Sequence, residues 1–457
     1  MDTATRFRNR VLFSVCTIVT GAFAGAAVWA FFKLMGMGLG FLWEALPAML
    51  LEYAVRVAPD AVQAMPVLFS GAFGFLPWTL LLCLGGGLAI GFFQKRCGEL
   101  PEDLDAVMAK VKQDGRYDYS RLGRMSVAAL LPLVFGGSVG PEAGLTGVIA
   151  GLCTWVGDRM RRFGSDFKDL TCAGVQAALS AVFTAPLYGF VAPFAGSASD
   201  IPEQGTFVAP KRWKVVAYLC AVAGALSAFL GLGALFGGGM AMPRFSAMSV
   251  GSAELCWLVV LVAAGCAAGW LFHVGNAVSG KVRGHLDSPV VRCVLAGLLL
   301  AVVGTVFPLV MFAGESQSEL VMQRYAQIGA VALIATGFLK PFVTAACIKL
   351  GWRGGHFFPL IFSGICLGYG FSLLLGIDAV FCCAACTAAC MAAVMRQPLM
   401  VALLLFLCFP VSGVAVMLVS ALVAAAVPLP RCLQASAGAK GAAAGIAQAA
   451  DERGGRD

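Results

Sequence analysis

Charged residues are scarce in this chain. Only 12% of its 457 residues are Asp, Glu, Lys or Arg, while 60% are apolar, and an ordinary soluble protein has about twice that charged share. A soluble domain of this length needs far more polar surface to cover its core. The composition therefore excludes an ordinary soluble enzyme and a disordered chain, and it predicts a polytopic membrane protein.

The chain also lacks a basic stripe interleaved with aromatic residues, the usual pattern of a nucleic-acid-binding surface. The net charge is +8, but the basic residues stand between apolar runs, at residues 6–10, 110–124, 159–162 and 211–214. This pattern is typical of cytoplasmic loops under the positive-inside rule. We expect the lipid bilayer, and no nucleic acid, as a partner.

No cleavage site follows the first apolar run. The run extends from Val11 to about Phe32, which is long enough to span a bilayer, so we expect a retained first helix and not a signal peptide. Residues 1–10 are then a cytoplasmic N-terminus, and the Ala- and Gly-rich residues 432–457 are predicted to be a polar, disordered tail. The absence of a large cytoplasmic regulatory domain suggests a multi-pass protein of a prokaryotic plasma (inner) membrane.

Seventeen Cys are present, without the spacing of a metal site. The densest group is Cys382, Cys383, Cys386 and Cys390, and no second Cys-x-x-Cys pair or His stands near it. Cys in such an apolar run behaves as a small hydrophobic residue. We therefore predict a packing helix here, with no metal and no cofactor.

Glycine, by contrast, is abundant, and it marks matched breaks in two halves of the chain. Residues 136–144 read GGSVGPEAG, and an Ala-Pro-Leu break follows 45 residues after Pro141. Residues 354–364 read GGHFFPLIFSG, and a Gln-Pro-Leu break follows 39 residues after Pro359. Paired breaks at similar spacing indicate a repeat transporter with a binding site near the membrane midplane.

The breaks predict a site for an anion. Gly-Gly followed by Pro ends one helix, and Pro is favourable in the first turn of the next. A helix that begins inside the membrane leaves N–H groups unpaired, and their partial positive charge favours an anion. Neither break contains Lys or Arg, which suits a site that must release its ion quickly.

These motifs resemble those of the CLC family of chloride channels and proton-coupled chloride transporters. Residues 355–359 match the family's G-x-F-x-P motif and residues 137–141 resemble its G-[KR]-E-G-P motif, while residues 185–187 and 396–399 fall at its two Pro-Leu segments. The resemblance covers about residues 10–431. It implies an all-α membrane domain of two inverted repeats with broken and re-entrant helices, about 11–225 and 226–431, in a homodimer with one pore per subunit.

The resemblance also implies the anion ligands, which are main-chain amides in the family. These fall on Val139 and Gly140 in the first repeat and on His356 and Phe357 in the second. Ser138 is a small polar group beside the first break that could coordinate the anion or cap the helix. His356 could tune anion affinity or confer pH sensitivity, or contribute only its N–H.

Several positions depart from the family pattern. The family's gating carboxylate falls on Val139, and its internal proton-relay Glu falls near Ala195 or Gly196. Its Ser-bearing motif places Gly98 at the Ser, and its ion-coordinating Tyr falls at Pro430. Because the resemblance implies that proton coupling needs both carboxylates, the expected function is passive transport of chloride or a similar small monovalent anion, and not an enzymatic one.

Glu142 keeps an alternative open. It follows Pro141 directly, in the first turn of the predicted half-helix, and an ionisable residue at membrane depth is a functional candidate. It could be a displaced gate of a proton-coupled antiporter, or it could only stabilise its own helix N-terminus.

An intramembrane serine hydrolase is a second alternative, since residues 136–140 formally match G-x-S-x-G with Ser138 as nucleophile. That motif needs a strand before it and a His/Asp pair, and no strand pattern precedes it. A transporter of another small anion, such as fluoride, nitrate or formate, also stays open.

Overall fold

The structure is a computed structural model that describes residues 3–57, 76–102, 116–160, 167–191, 211–238 and 242–430, with a few positions between 106 and 114. These residues form sixteen α-helices and no β-strand. Seven helices among them are long and apolar enough to cross a membrane. The chain is thus an all-α, multi-pass membrane protein.

The first half of the chain contains eight of these helices. They are α1 (Thr3–Gly40), α2 (Leu46–Val57), α3 (Leu76–Cys97), α4 (Leu122–Val134), α5 (Glu142–Met160), α6 (Phe167–Val182), α7 (Pro186–Val191) and α8 (Lys211–Phe236). A π-helical turn joins α1 to α2. The predicted division at about residue 225 falls inside α8, and placing it after Phe236 leaves whole helices on both sides.

The second half contains the other eight. They are α9 (Ser252–Gly284), α10 (Pro289–Val306), α11 (Glu315–Ile328), α12 (Ala330–Leu350), α13 (Phe357–Leu375), α14 (Ala379–Met395), α15 (Pro398–Leu405) and α16 (Val414–Ala426). The two halves share the predicted pattern of matched breaks. The positions predicted at Ala195 and Gly196, and the tail at 432–457, lie outside the described residues.

All four predicted breaks are helix boundaries. The Gly-Gly breaks separate α4 from α5 and α12 from α13, and the Pro-Leu breaks separate α6 from α7 and α14 from α15. The Pro-Leu breaks match in detail, because Thr184 and Arg396, each two residues before its Pro, both have a positive φ (47° and 57°). This conformation is uncommon outside glycine, so its recurrence marks equivalent positions in the two repeats.

Small residues let the helices pack with their backbones in contact. A Cβ atom at Gly21 of α1 would lie 2.0 Å from the carbonyl oxygen of Ala221 in α8, and one at Gly368 of α13 would lie 2.4 Å from Cα of Cys383 in α14. Close approach of this kind is the main source of helix association in a bilayer, where lipid tails are as apolar as the side chains.

The cysteine cluster lies on α14 and is fully buried. The thiols of Cys383 and Cys386 each donate to a main-chain carbonyl, those of Ile365 and Leu261, at 3.5 Å. Among the described residues no group of three His, Cys, Asp or Glu side chains could hold a metal ion. The contacts of α14 are therefore those of a packing helix.

Candidate functional site

The two Gly-Gly breaks meet at the centre of the molecule. Gly140 and Gly355 exchange two backbone hydrogen bonds, each 2.7 Å long, as one antiparallel bridge. The loop before α5 and the loop before α13 therefore form one joined structure, and the N-termini of the two half-helices converge on it. The predicted ligand positions in both repeats are brought together.

Glu142 crosses from one repeat to the other. Its side chain is 1% exposed, and its Oε1 accepts a hydrogen bond from the backbone N–H of Phe357 at 2.6 Å. The second oxygen, Oε2, has no hydrogen-bond partner in the described part of the chain. The carboxyl group thus occupies the N-terminus of α13, where the half-helix favours a negative charge.

The two glycines make room for this carboxyl group. A Cβ atom at Gly355 would lie 2.0 Å from Cδ of Glu142, and one at Gly140 would lie 2.1 Å from its Oε2. No side chain fits at either position while Glu142 keeps this conformation. The glycine pair and the buried acid are therefore parts of the same pocket.

Val139 and Ser138 are fully buried beside the bridge. A Cβ atom at Gly354 would lie 2.7 Å from Cβ of Val139, so the valine packs on the facing loop. The hydroxyl of Ser138 is hydrogen-bonded to that of Thr344 in α12 at 3.0 Å. A threonine hydroxyl cannot serve as the general base that a serine nucleophile needs, so this geometry does not favour a hydrolase.

Aromatic rings surround the start of α13. The imidazole of His356 lies 5.2 Å from the ring of Phe272 and 4.9 Å from that of Phe357, between centroids. The ring of Phe357 lies 5.6 Å from that of Phe183. Phe183 stands at the first Pro-Leu break, so three of the four breaks pack around one point. Sequence reasoning missed Phe183, although it lies only two residues before the Ala-Pro-Leu break.

Lys340 is a second buried charge that sequence reasoning missed. It lies in α12 and is 0% exposed. Its ammonium group shares its three N–H donors among four consecutive main-chain carbonyls, those of residues 309–312, at 2.9–3.1 Å. The segment it holds also reaches the first break, because the N–H of Phe312 donates to the carbonyl of Gly136 at 3.0 Å. A lysine inside an apolar run is a detectable signal.

A cluster of arginines lies around Glu99, in the loop that follows α3. Glu99 forms ion pairs with Arg283 at 2.8 Å, with Arg292 at 3.2 Å, and with Arg353. Partial burial alone would raise the pKa of the Glu99 carboxyl, but Arg353, followed by Arg283 and Arg292, holds that pKa below its usual value. Arg353 lies two residues before Gly355, so this cluster anchors the loop before α13.

Comparison with known proteins agrees with this architecture. The sequence model of the voltage gated chloride channel family matches residues 85–428. A Shigella flexneri protein named as the ion-transport protein YfeO is 26% identical over 373 residues, which cover 79% of each chain. Its namesake in Salmonella paratyphi A is 24% identical over 372 residues, covering 79% of this chain and 81% of that protein.

Solved structures share the fold at low sequence identity. A slow cyanobacterial Cl⁻/H⁺ antiporter aligns with a TM-score of 0.71 at 18% identity, covering 90% of this chain and 94% of that one. A CLC-type fluoride/proton antiporter aligns with a TM-score of 0.64 at 17% identity, covering 91% and 94%. At such identities the likeness extends to the fold alone.

Proposed function

We propose a function for this chain from one premise: it belongs to the voltage gated chloride channel family. Transport of an anion across a membrane is the activity of that family. Our more specific proposal is that chloride or a similar small monovalent anion passes the junction of the loops that precede α5 and α13. Its ligands would be the main-chain amides of Val139, Gly140, His356 and Phe357, with Ser138 close by.

The observation that carries the proposal is the hydrogen bond from the N–H of Phe357 to the carboxyl group of Glu142. A carboxylate is itself a small monovalent anion, so it stands in for the transported ion at the helix N-terminus. The same N–H cannot bind both groups at once. We infer that Glu142 is the gate, which closes the site as a carboxylate and leaves it when protonated.

This assignment favours the antiporter over the passive pore. Val139 removes the carboxyl group from the family's usual position, which argued for passive transport. Glu142, three residues further along the chain, instead places a carboxyl group at the N-terminus of α13. Because its release requires a proton, we propose that anion movement in this protein is coupled to proton movement, with the passive pore as the alternative outcome.

The deciding experiment measures both fluxes in liposomes that contain the purified protein. An outward chloride gradient is imposed, and chloride efflux and internal pH are followed together. We expect chloride efflux to drive proton uptake in the wild type. In Glu142→Gln, proton movement should fall at least about tenfold, a lower bound, since a positioned proton-transfer group typically contributes about 10²- to 10⁴-fold. Chloride efflux should persist and no longer depend on pH.

Glu319→Gln is the matched control, because Glu319 is an exposed acid of α11. It should behave as the wild type does. Chloride efflux without proton movement in the wild type would support the passive pore instead. No chloride flux, with flux of fluoride, nitrate or formate, would keep the pore and change the substrate.

We also propose a homodimer in the plasma (inner) membrane, following the family resemblance. Each subunit would carry its own pore, because the described site is completed within one chain. Light scattering of the detergent-solubilised protein tests the stoichiometry, and membrane fractionation tests the location.

A further inference from the structure

A second carboxyl group lies buried near the gate. Glu315 is the first residue of α11 and is 7% exposed, and its Oε1 has no hydrogen-bond partner within the described residues. A buried carboxyl oxygen without a partner is costly in a dry interior. Such a group is retained either to support the fold or because it exchanges a proton.

The position of Glu315 relative to Glu142 follows from α13, because the segments that carry these two residues both contact this helix. Gly314, the residue before it, rests on Phe362, since a Cβ atom there would lie 2.6 Å from Cβ of that phenylalanine. Phe357, which binds the Glu142 carboxyl, is five residues earlier on the same helix. At 1.5 Å per residue the two contacts are about 8 Å apart along the helix axis. The two carboxyl groups also interact electrostatically.

Lys340 completes the group. Its ammonium nitrogen lies 4.8 Å from the centre of the Phe362 ring and interacts electrostatically with Glu315. Four carbonyl acceptors suit the protonated amine, which donates and does not accept. One positive charge therefore lies near Glu315, which in turn interacts with Glu142.

The charges of these three residues favour one proton shared between the two carboxyl groups, because Glu315 interacts electrostatically with both Glu142 and Lys340. If both carboxyl groups were ionised, the group would carry a net negative charge in a medium of low dielectric constant. If only one is ionised, its charge cancels that of Lys340, and the other carboxyl group holds a proton. The ionised gate at Phe357 then corresponds to a protonated Glu315.

We propose that Glu315 is the proton-exchange partner of Glu142, a step that rests on the proposed gating function. The proton leaves a carboxyl oxygen of Glu315, which becomes a carboxylate beside Lys340, and binds a carboxylate oxygen of Glu142, which becomes neutral and releases the N–H of Phe357 to the anion. Glu315 regains a proton from the aqueous solution. Within the described residues, the buried thiols of Cys347 and Cys366 also interact with Lys340, and the imidazole of His356 lies against the Phe357 ring, 4.9 Å between centroids.

The test compares Glu315→Gln with the wild type in the two-flux liposome experiment, with Glu319→Gln as control. Gln keeps the shape of the side chain and cannot carry the proton. We expect proton movement to fall at least about tenfold while chloride efflux stays within about threefold of the wild type. Glu315→Asp keeps a carboxyl group at this position and should restore part of the proton movement.

Infrared difference spectra between low and high pH give a readout apart from transport. The wild type should show two buried carboxyl groups that respond to pH, and Glu315→Gln and Glu142→Gln should each remove one. Wild-type proton coupling in Glu315→Gln, together with its loss in Glu142→Gln, would overturn this inference and keep the proposed gate. Unchanged proton movement in Glu142→Gln would overturn the gate itself.

Discussion

Gly140 and Gly355 hold the loops before α5 and α13 together through a reciprocal pair of backbone hydrogen bonds, each 2.7 Å long. Neither glycine is needed for a left-handed turn, since neither has a positive φ. Each is needed because the carboxyl group of Glu142 fills the space where its Cβ atom would lie. The pair therefore links the backbone of the two loops to the conformation of the Glu142 side chain.

Replacing Gly355 by Ala should disable the site. The new Cβ atom would lie 2.0 Å from Cδ of Glu142, so the carboxyl group must leave and the methyl group takes the space of the anion. We expect chloride efflux in liposomes to fall at least about tenfold, equivalent to about 1.4 kcal/mol.

Gly36→Ala in α1 is the control, since no atom lies within 4 Å of its Cβ position. Its efflux should equal that of the wild type. Wild-type efflux from Gly355→Ala would mean that the anion does not pass this junction.

Ser138→Ala should weaken folding more than transport. The substitution leaves the hydroxyl of Thr344 buried without its 3.0 Å partner, which costs about 1–3 kcal/mol. Thermal unfolding in detergent should show the loss, whereas chloride efflux should stay within about threefold. In Ser138→Ala with Thr344→Val, no hydroxyl is left unpaired, so part of the stability should return. An ester hydrolysis activity that disappears in Ser138→Ala would instead revive the hydrolase alternative.

Lys340→Met should be severely destabilising. Four main-chain carbonyls lose their shared donor, and removing one partner from a buried charged network typically costs about 3–5 kcal/mol. We expect a large drop in the yield of monodisperse protein and in its unfolding temperature. Lys281→Met removes an exposed lysine of α9 and should leave both unchanged. Equal stability of the two variants would contradict a structural role for Lys340.

Glu99 should contribute stability that depends on pH. Its pKa is lowered in the folded protein, so its contribution is complete above the pKa of the unfolded chain, about 4.3, and is lost as the pH falls through the lower folded pKa. We expect Glu99→Gln to lower the free energy of unfolding at pH 7 by no more than about 1 kcal/mol, because Glu99 is 37% exposed and solvent screens its ion pairs. Thermal unfolding in detergent measures the loss.

The difference in the free energy of unfolding between the wild type and Glu99→Gln should shrink at acid pH and in high salt. Glu52→Gln breaks a more exposed pair with Arg56, in which Glu52 is 65% exposed, and should have almost no effect. A difference in stability between the wild type and Glu99→Gln that persists below pH 3 would show that packing, and not charge, is the cause.

The helix boundaries at the pore were predictable because Gly-Gly and Pro-Leu breaks act locally. A proline is favourable in the first turn of a helix, and Pro186 and Pro398 each start one. Pro132 and Pro341 lie inside α4 and α12, so proline alone does not mark a helix start, and the paired recurrence of the Pro-Leu breaks carried the prediction. The repeat was predictable for the same reason, since both halves carry the same local signals.

The contacts of the site were not predictable in this way. Whether Glu142 caps its own helix or reaches α13 depends on how two distant segments meet, and periodicity does not encode that. The partner of Lys340 was equally hidden, because its four acceptors are main-chain carbonyls, which every residue possesses. Local signals thus identify the ends of helices, and tertiary packing decides which end faces which charge.

The bridge between Gly140 and Gly355 has a mechanical consequence. Because the two loops share hydrogen bonds in both directions, a displacement of α13 along its axis must carry the start of α5 with it or break both bonds. A transport cycle that preserves the bridge can therefore rely on rotation of the Glu142 side chain alone. Opening would then be a local rearrangement of one side chain, while α5 and α13 keep their positions.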